Sequence, residues 1–182
     1  MTMLGQGSPV RWTAPAGRWT EPDLHLFPQD GHRYEIVDGS LHVTPPAERT
    51  HDSLVDKVVH SLRSAAPPGW WVCARLGIEI DTSNLVPDVT VLRPRSSGAI
   101  WVDPADVALA VEVESPATLR YDRLLKPAVY ASAGIPAYWL VEPGVAVTVY
   151  TLDGSAYRQV QRIESAEQVR LDAPYPIKVR LF

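Results

Sequence analysis

The chain has 182 residues, enough for one domain with a substantial core and too few for two large ones. Hydrophobic residues make up 46% and charged residues 21%, which excludes wholesale disorder. A formal net charge of −4 excludes a globally basic surface of the kind that grips nucleic acid without selectivity, although a site that gathers carboxylates for a metal is locally acidic by construction.

Residues 1–18 are rich in Gly, Pro, Ser and Thr without periodicity and read as a flexible N-terminal arm, leaving 19–182 as a single domain. Thr20-Glu21-Pro22-Asp23 reads as a helix start that can run only to about Phe27. Asp38-Gly39 between two β-prone runs, Arg33 to Val37 and Ser40 to Thr44, is a hairpin signal. From Glu48 to about Ala65 the apolar positions Leu54, Val55, Val58, Val59 and Leu62 recur at helical spacing, and Pro67-Pro68-Gly69 stops the helix.

Strands are expected at Trp71 to Arg75, Gly77 to Ile80 and Asp88 to Leu92, with a turn at Thr82-Ser83-Asn84 and a loop from Arg93 to Pro104. Val107 to Val113 is nearly all apolar, as a strand covered on both faces would be. Thr118 to Ala133 reads as helical and Gly134 as its cap; around the interior Pro127 the helix either starts late or kinks. Ala137 to Val141, Val145 to Leu152 and Ala156 to Val160 are further strands, and the tail from Val169 is expected to add an edge strand. The order defines a mixed α/β layer fold.

Cys73 is the only cysteine, which excludes an internal disulfide and a thiolate metal cluster; in its apolar context it reads as a small buried hydrophobe. No apolar run reaches the ~20 residues a membrane-spanning helix needs. No signal peptide is recognisable at the start, so the expected location is cytoplasmic.

Chemistry concentrates in three places. Asp88 opens a strand, and Glu112 closes the apolar run Ala110-Val111-Glu112-Val113. A carboxylate ending such a strand needs a partner, because an unpaired buried charge is very costly. If the two strands are neighbours, Asp88, Glu112 and Glu114 face one pocket, and a cation is what holds like charges that close. Oxygen donors alone select a hard ion, Mg²⁺ or Mn²⁺. Lys126 follows four residues after Asp122 and would share its helical face. Glu114 reads equally as a further ligand or a solvated strand end, and Glu35 as a cross-strand charge partner. His51 reads as a solvated or capping residue, and the other four histidines share no metal-ligand spacing.

The blocks Pro87-Asp88, Val111-Glu112-Val113-Glu114-Ser115-Pro116, Asp122-Arg123, Lys126-Pro127-Ala128 and Tyr138-Trp139-Leu140-Val141-Glu142-Pro143, with the hairpin Tyr34-Glu35-Ile36-Val37-Asp38-Gly39, resemble the Uma-two endonuclease family. The resemblance implies a restriction endonuclease-like PD-(D/E)xK fold, a mixed β-sheet core flanked by helices. It implies a Mg²⁺- or Mn²⁺-dependent nuclease acting on DNA. It casts Asp88 and Glu112 as metal-binding carboxylates, with Glu114 as a third, Lys126 as the catalytic lysine moved from strand to helix, and Glu35 as a further acidic site residue. Glu114 stands where the wider motif carries its lysine. The alternative reading is a catalytically inactive nucleic-acid- or protein-binding regulatory module on the same fold. A homodimer through the hairpin or the C-terminal strands is the remaining partner expectation.

Overall fold

The computed structural model describes residues 17–94, 100–164 and 169–179. The expected arm up to residue 16, and residues 95–99 of the expected loop, lie outside the described residues.

A short helix, α1 (Glu21–Leu24), opens the described chain, with the Thr20 amide and hydroxyl both donating to Asp23 Oδ2. It is one turn long and ends earlier than expected. The hairpin follows as β1 (Arg33–Val37) and β2 (Ser40–Thr44), paired antiparallel with Val37 opposite Ser40. Asp38 and Gly39 both have positive φ, 48° and 74°, the backbone that a tight two-residue turn between right-twisted strands demands. The long helix α2 (Arg49–Ala65) buries the expected stripe Leu54, Val55, Val58, Val59 and Leu62, and also His51. Each large apolar side chain in that stripe contributes about 1.5–3 kcal/mol of burial.

Next come β3 (Trp71–Ala74), β4 (Gly77–Ile80), β5 (Ser83–Leu85), β6 (Val89–Leu92) and β7 (Trp101–Val102). Two of these correct the sequence reading. Ser83-Asn84 is strand, because β5 is claimed on both sides, by β4 and by β1. The 93–104 stretch is not all loop: β7 pairs parallel with β4, and Pro104–Asp106 form a 3₁₀ turn that Asp103 caps through the Ala105 amide. Arg93 is structural, donating to the carbonyls of Ala105 and Val107.

At Gly77 the glycine is required by close packing. A Cβ there would come within 2.3 Å of the Trp101 ring. Gly77→Ala is therefore expected to destabilise the protein by about 1–3 kcal/mol through overpacking. A urea midpoint unchanged from wild type would contradict this.

The central strand β8 (Val107–Val113) is buried along its whole length. After it the chain makes a π-helical turn over Tyr121–Leu125 and passes into α3 (Lys126–Ser132), with Pro127 in the first turn. This settles the alternatives left by Pro127. The regular helix starts beside the proline, where a missing N–H is harmless, and the wide turn before it absorbs the break. Gly134, with φ 76°, ends the segment. The sheet is completed by β9 (Ala137–Glu142), β10 (Ala146–Asp153) and β11 (Ala156–Ile163).

Six strands form one mixed sheet in the order β11-β10-β9-β8-β6-β3, and five form a second in the order β2-β1-β5-β4-β7. The tail does not extend either one: β12 (Val169–Leu171) and β13 (Ile177–Val179) pair with each other and pack on α2, where the Tyr175 hydroxyl donates to the Leu62 carbonyl.

Alternation along β8 separates two cores. Leu109, Val111 and Val113 join the core under α2, with Val89 and Val91 of β6 beside them. Ala110 joins the opposite core with Ile78 and Leu85 of the second sheet and Tyr130 of α3. Glu112 lies on that second face, between the large sheet, α3 and the hairpin sheet. No described helix is long and apolar enough to cross a membrane.

Candidate active site

Strand β6 runs antiparallel to β8, with Val89 opposite Val111. One step further along that register Asp88 reaches the end of β8, where the Val113 amide donates to its Oδ2 at 2.8 Å. Asp88 and Glu112 are both fully buried. Lys126, at the start of α3, is buried with them and stands 3.0 Å from Glu112 Oε1, 3.4 Å from Glu35 Oε1 and 3.5 Å from Asp122 Oδ1. The structure thus brings together Asp88, Glu112, Lys126 and Glu35, and adds Asp122. The π-helical turn buries Asp122; such insertions in helices recur at functional sites.

Cations hold these carboxylates. Arg33 Nη1 donates to Asp88 Oδ1 at 2.8 Å, and its Nε lies 3.4 Å from Glu35. His51 Nε2 donates to the Val113 carbonyl at 2.9 Å and stands 3.3 Å from Asp88 Oδ2. The Tyr130 hydroxyl donates to Glu112 Oε1 at 2.7 Å, and the Val86 amide to Glu35 Oε1 at 2.7 Å.

Burial works against the charged form of Asp88, but the His51 hydrogen bond and the Arg33 guanidinium outweigh it and hold its pKa down to about 2. Glu112, with no arginine in contact, is pushed well above the usual carboxylate range by burial, and Lys126 offsets only part of that. Burial also raises Asp122. Burial disfavours the charged form of Lys126, yet Glu112 and Glu35 keep it above its ordinary value. The two strand carboxylates are thus driven in opposite directions, a pattern common where acid and base roles divide.

Glu114 is not drawn into this group. Its carboxylate is gripped by Arg123, which also binds Glu142 at 3.0 Å, and Glu142 in turn is held by Arg162. The reason is positional: β8 ends at Val113, and Glu114 turns toward the residues around the π-helical turn.

Two contributors went unread as site residues in the sequence. Arg33 lies two positions before Glu35 on β1 and so shares its face; Tyr130 lies four after Lys126 on α3 and so shares its side. His51, read as a solvated or capping residue, is neither: Glu48 is the N-cap, and His51 is buried against Asp88 because the first turn of α2 docks over the strand ends.

The cluster borders an open cleft of about 940 Å³, lined by Arg33, His51, Arg75, Asp88, Trp101 and Glu114 among others. Among the described residues no three His, Cys, Asp or Glu side chains stand in ready metal geometry. The donor chemistry nevertheless suits a hard cation. Glu112 Oε2 is buried and accepts no hydrogen bond. Asp88 Oδ2 and the Val113 carbonyl converge on His51 Nε2.

A mixed sheet with acidic residues on two adjacent strands and a lysine on the following helix defines a restriction endonuclease-like architecture. The chain belongs to the Uma2 family, described as "Putative restriction endonuclease", whose model matches residues 19–181. A similar solved structure is described as a putative nuclease belonging to DUF820 from Anabaena variabilis. It is 16% identical, covers 85% of this chain and 89% of its own, and superposes with a TM-score of 0.67, a likeness of fold. No curated protein matches the chain.

Proposed function

We propose that the protein is a divalent-metal-dependent endonuclease that hydrolyses DNA phosphodiester bonds at the floor of the 940 Å³ cleft, with residues 19–182 as one catalytic domain. The observation that carries this is a buried lysine 3.0 Å from Glu112, on the strand face it shares with Asp88, beside an open cleft. Asp88 and Glu112 are the residues that would hold Mg²⁺ or Mn²⁺, through donors suited to a hard ion. Bound there, the ion supplies neutralisation of phosphate charge and an activated water. Lys126, kept protonated by its carboxylate neighbours, is placed to donate toward the attacking water or the charge that develops on phosphorus-bound oxygens. Glu35 fixes Lys126 from the hairpin side. His51 and Arg33 orient Asp88. Arg33 lines the cleft but is committed to Asp88 and Glu35; the half-exposed Arg75, paired with the exposed Asp52, is the cleft cation better placed for a backbone phosphate. Glu114 would reach an ion only by exchanging Arg123 for it, and we leave it out of the ligand set.

The same ion pairs support a second reading, a catalytically inactive nucleic-acid-binding module whose carboxylates are satisfied by Arg33, His51 and Lys126.

One paired experiment separates the two. Plasmid nicking is assayed with Mg²⁺, Mn²⁺ and chelator, and thermal stability is titrated with each ion. Cleavage that chelator abolishes, with stability rising by about 2.7 kcal/mol at a hundredfold excess over Kd, is the expected result. DNA binding without cleavage under either ion would transfer the assignment to the module. Full cleavage in chelator would sink the metal requirement.

A further inference from the structure

Two crossings between the sheets lie side by side at the cleft. The chain leaves β3 of the large sheet through Arg75 and Leu76 to enter β4 of the second, and it returns from β5 through Val86, Pro87 and Asp88 to β6. Ala74 pairs with Val89, and beyond that pair the Arg75 amide donates to the Asp88 carbonyl at 3.1 Å. The backbone therefore fixes Arg75 against Asp88. Arg75 has φ 52°, a left-handed conformation that strains any residue with a side chain. The other two described non-glycine residues with positive φ, Asp38 and Asp81, sit in two-residue turns between paired strands, where that backbone is the rule. Arg75 has no such turn around it, because β3 and β4 do not pair. Strain held in a cleft wall, away from a hairpin, points to a use for the side chain.

That side chain is 50% exposed and lines the cleft beside His51 and Asp88. Its Nη2 donates to Oδ1 of Asp52, which lies in the first turn of α2 and is 48% exposed. The other ion pairs at this wall, Arg33–Asp88 and His51–Asp88, each contain a buried carboxylate. Opening one of those strands a buried charge. Opening Arg75–Asp52 strands none, since both groups meet water and Asp52 keeps His51 Nδ1 at 3.6 Å. An exposed pair contributes little net stability, so an incoming anion can exchange for the carboxylate. The planar guanidinium fork matches two oxygens of a phosphate.

We propose that Arg75 and Asp52 form a resting pair which the substrate opens: a non-scissile backbone phosphate of DNA displaces Asp52 and takes Arg75. Asp52 is then an internal competitor that sets how tightly DNA is held beside Asp88. That the phosphate belongs to DNA rests on the reading above, but the exchange holds whether or not the bound strand is cut.

The test uses the full chain in chelator, so that binding is read without cleavage. A short fluorescent DNA duplex is titrated by anisotropy at several salt concentrations. Asp52→Asn is expected to tighten binding about twofold to fivefold, the scale of an exposed ion pair. Arg75→Asn, whose side chain suits the left-handed backbone, is expected to weaken binding about tenfold. It should also lower the salt slope by about 0.9, the share of one phosphate on a duplex. Arg75→Lys should restore that slope, a recovery that a misfolded variant would not show. The double variant decides: in Arg75→Asn the gain from Asp52→Asn should vanish, because the two act through one contact. An equal gain in both backgrounds would make Asp52 a general repulsive charge and overturn the proposal. So would unchanged or weaker binding in Asp52→Asn, an unaltered slope in Arg75→Asn, or no measurable binding by the wild type at low salt. Plasmid cleavage by the wild type decides the nuclease reading separately. Coupled binding by a protein that cuts nothing upholds the pair and fails that reading, and cutting with Arg75 and Asp52 uncoupled does the reverse.

Discussion

Lys126→Met is expected to lower folding stability by about 3–5 kcal/mol, the loss typical when one partner of a buried ion pair is removed. The reasoning starts from burial. The Lys126 side chain is 3% exposed, and Glu112, Glu35 and Asp122 all stand within 3.5 Å of its Nζ. Methionine fills a similar volume, so the variant tests charge and not a cavity. Three carboxylates then face each other with Arg33 as the nearest remaining cation, bound to Glu35 only at 3.4 Å. Glu112 answers by holding its proton, which burial already favours, and this sets the loss nearer 3 than 5 kcal/mol. Urea unfolding should show a lower midpoint at an unchanged slope. Adding Glu112→Gln to Lys126→Met should recover part of the loss, since coupled sites are non-additive. A drop below ~1 kcal/mol would mean that the lysine is not the counter-charge the geometry makes it. If an ion is held at Glu112, Mn²⁺ should stabilise Lys126→Met more than wild type, because it no longer competes with an ammonium group.

The parts legible in the sequence are those where one local signal dominates. Val107–Val113 reads as a covered strand because every position is apolar except Glu112, and that one exception marks the site. The hairpin reads from Asp38-Gly39 because few residue pairs tolerate positive φ at both positions. The illegible parts depend on partners distant in sequence. Ser83–Leu85 has turn composition and becomes strand because β1 and β4 flank it. Trp101–Val102 is too short to signal itself and is defined by β4 and the Gly77–Trp101 contact. The π-helical turn has no periodic signature, yet it buries Asp122 and delivers Lys126 to the strand ends. Glu112 and Glu114 look equivalent by alternation, but the strand stops between them and Arg123 takes the second.

Asp88→Asn is expected to cut DNA cleavage by about 10³-fold, the scale of losing one electrostatic group at a reacting centre. The substitution keeps shape and removes charge. Asp88 now accepts from Arg33 at Oδ1 and from the Val113 amide at Oδ2, with His51 3.3 Å from the latter. An asparagine offers one oxygen and one NH₂, so either Arg33 or Val113 must meet a donor; that mismatch costs about 1–3 kcal/mol. Protein with its sheet signal intact, a modestly lowered urea midpoint and no stabilisation by Mn²⁺ would place the ion at Asp88. Lost activity with the metal response retained would move the ion to Glu112 and its unsatisfied Oε2, and leave Asp88 as the residue that anchors Arg33 and His51. Retained activity above a tenth of wild type would remove Asp88 from the chemistry altogether, because nothing in an amide can replace a carboxylate both as a hard-ion ligand and as the counter-charge of a buried arginine.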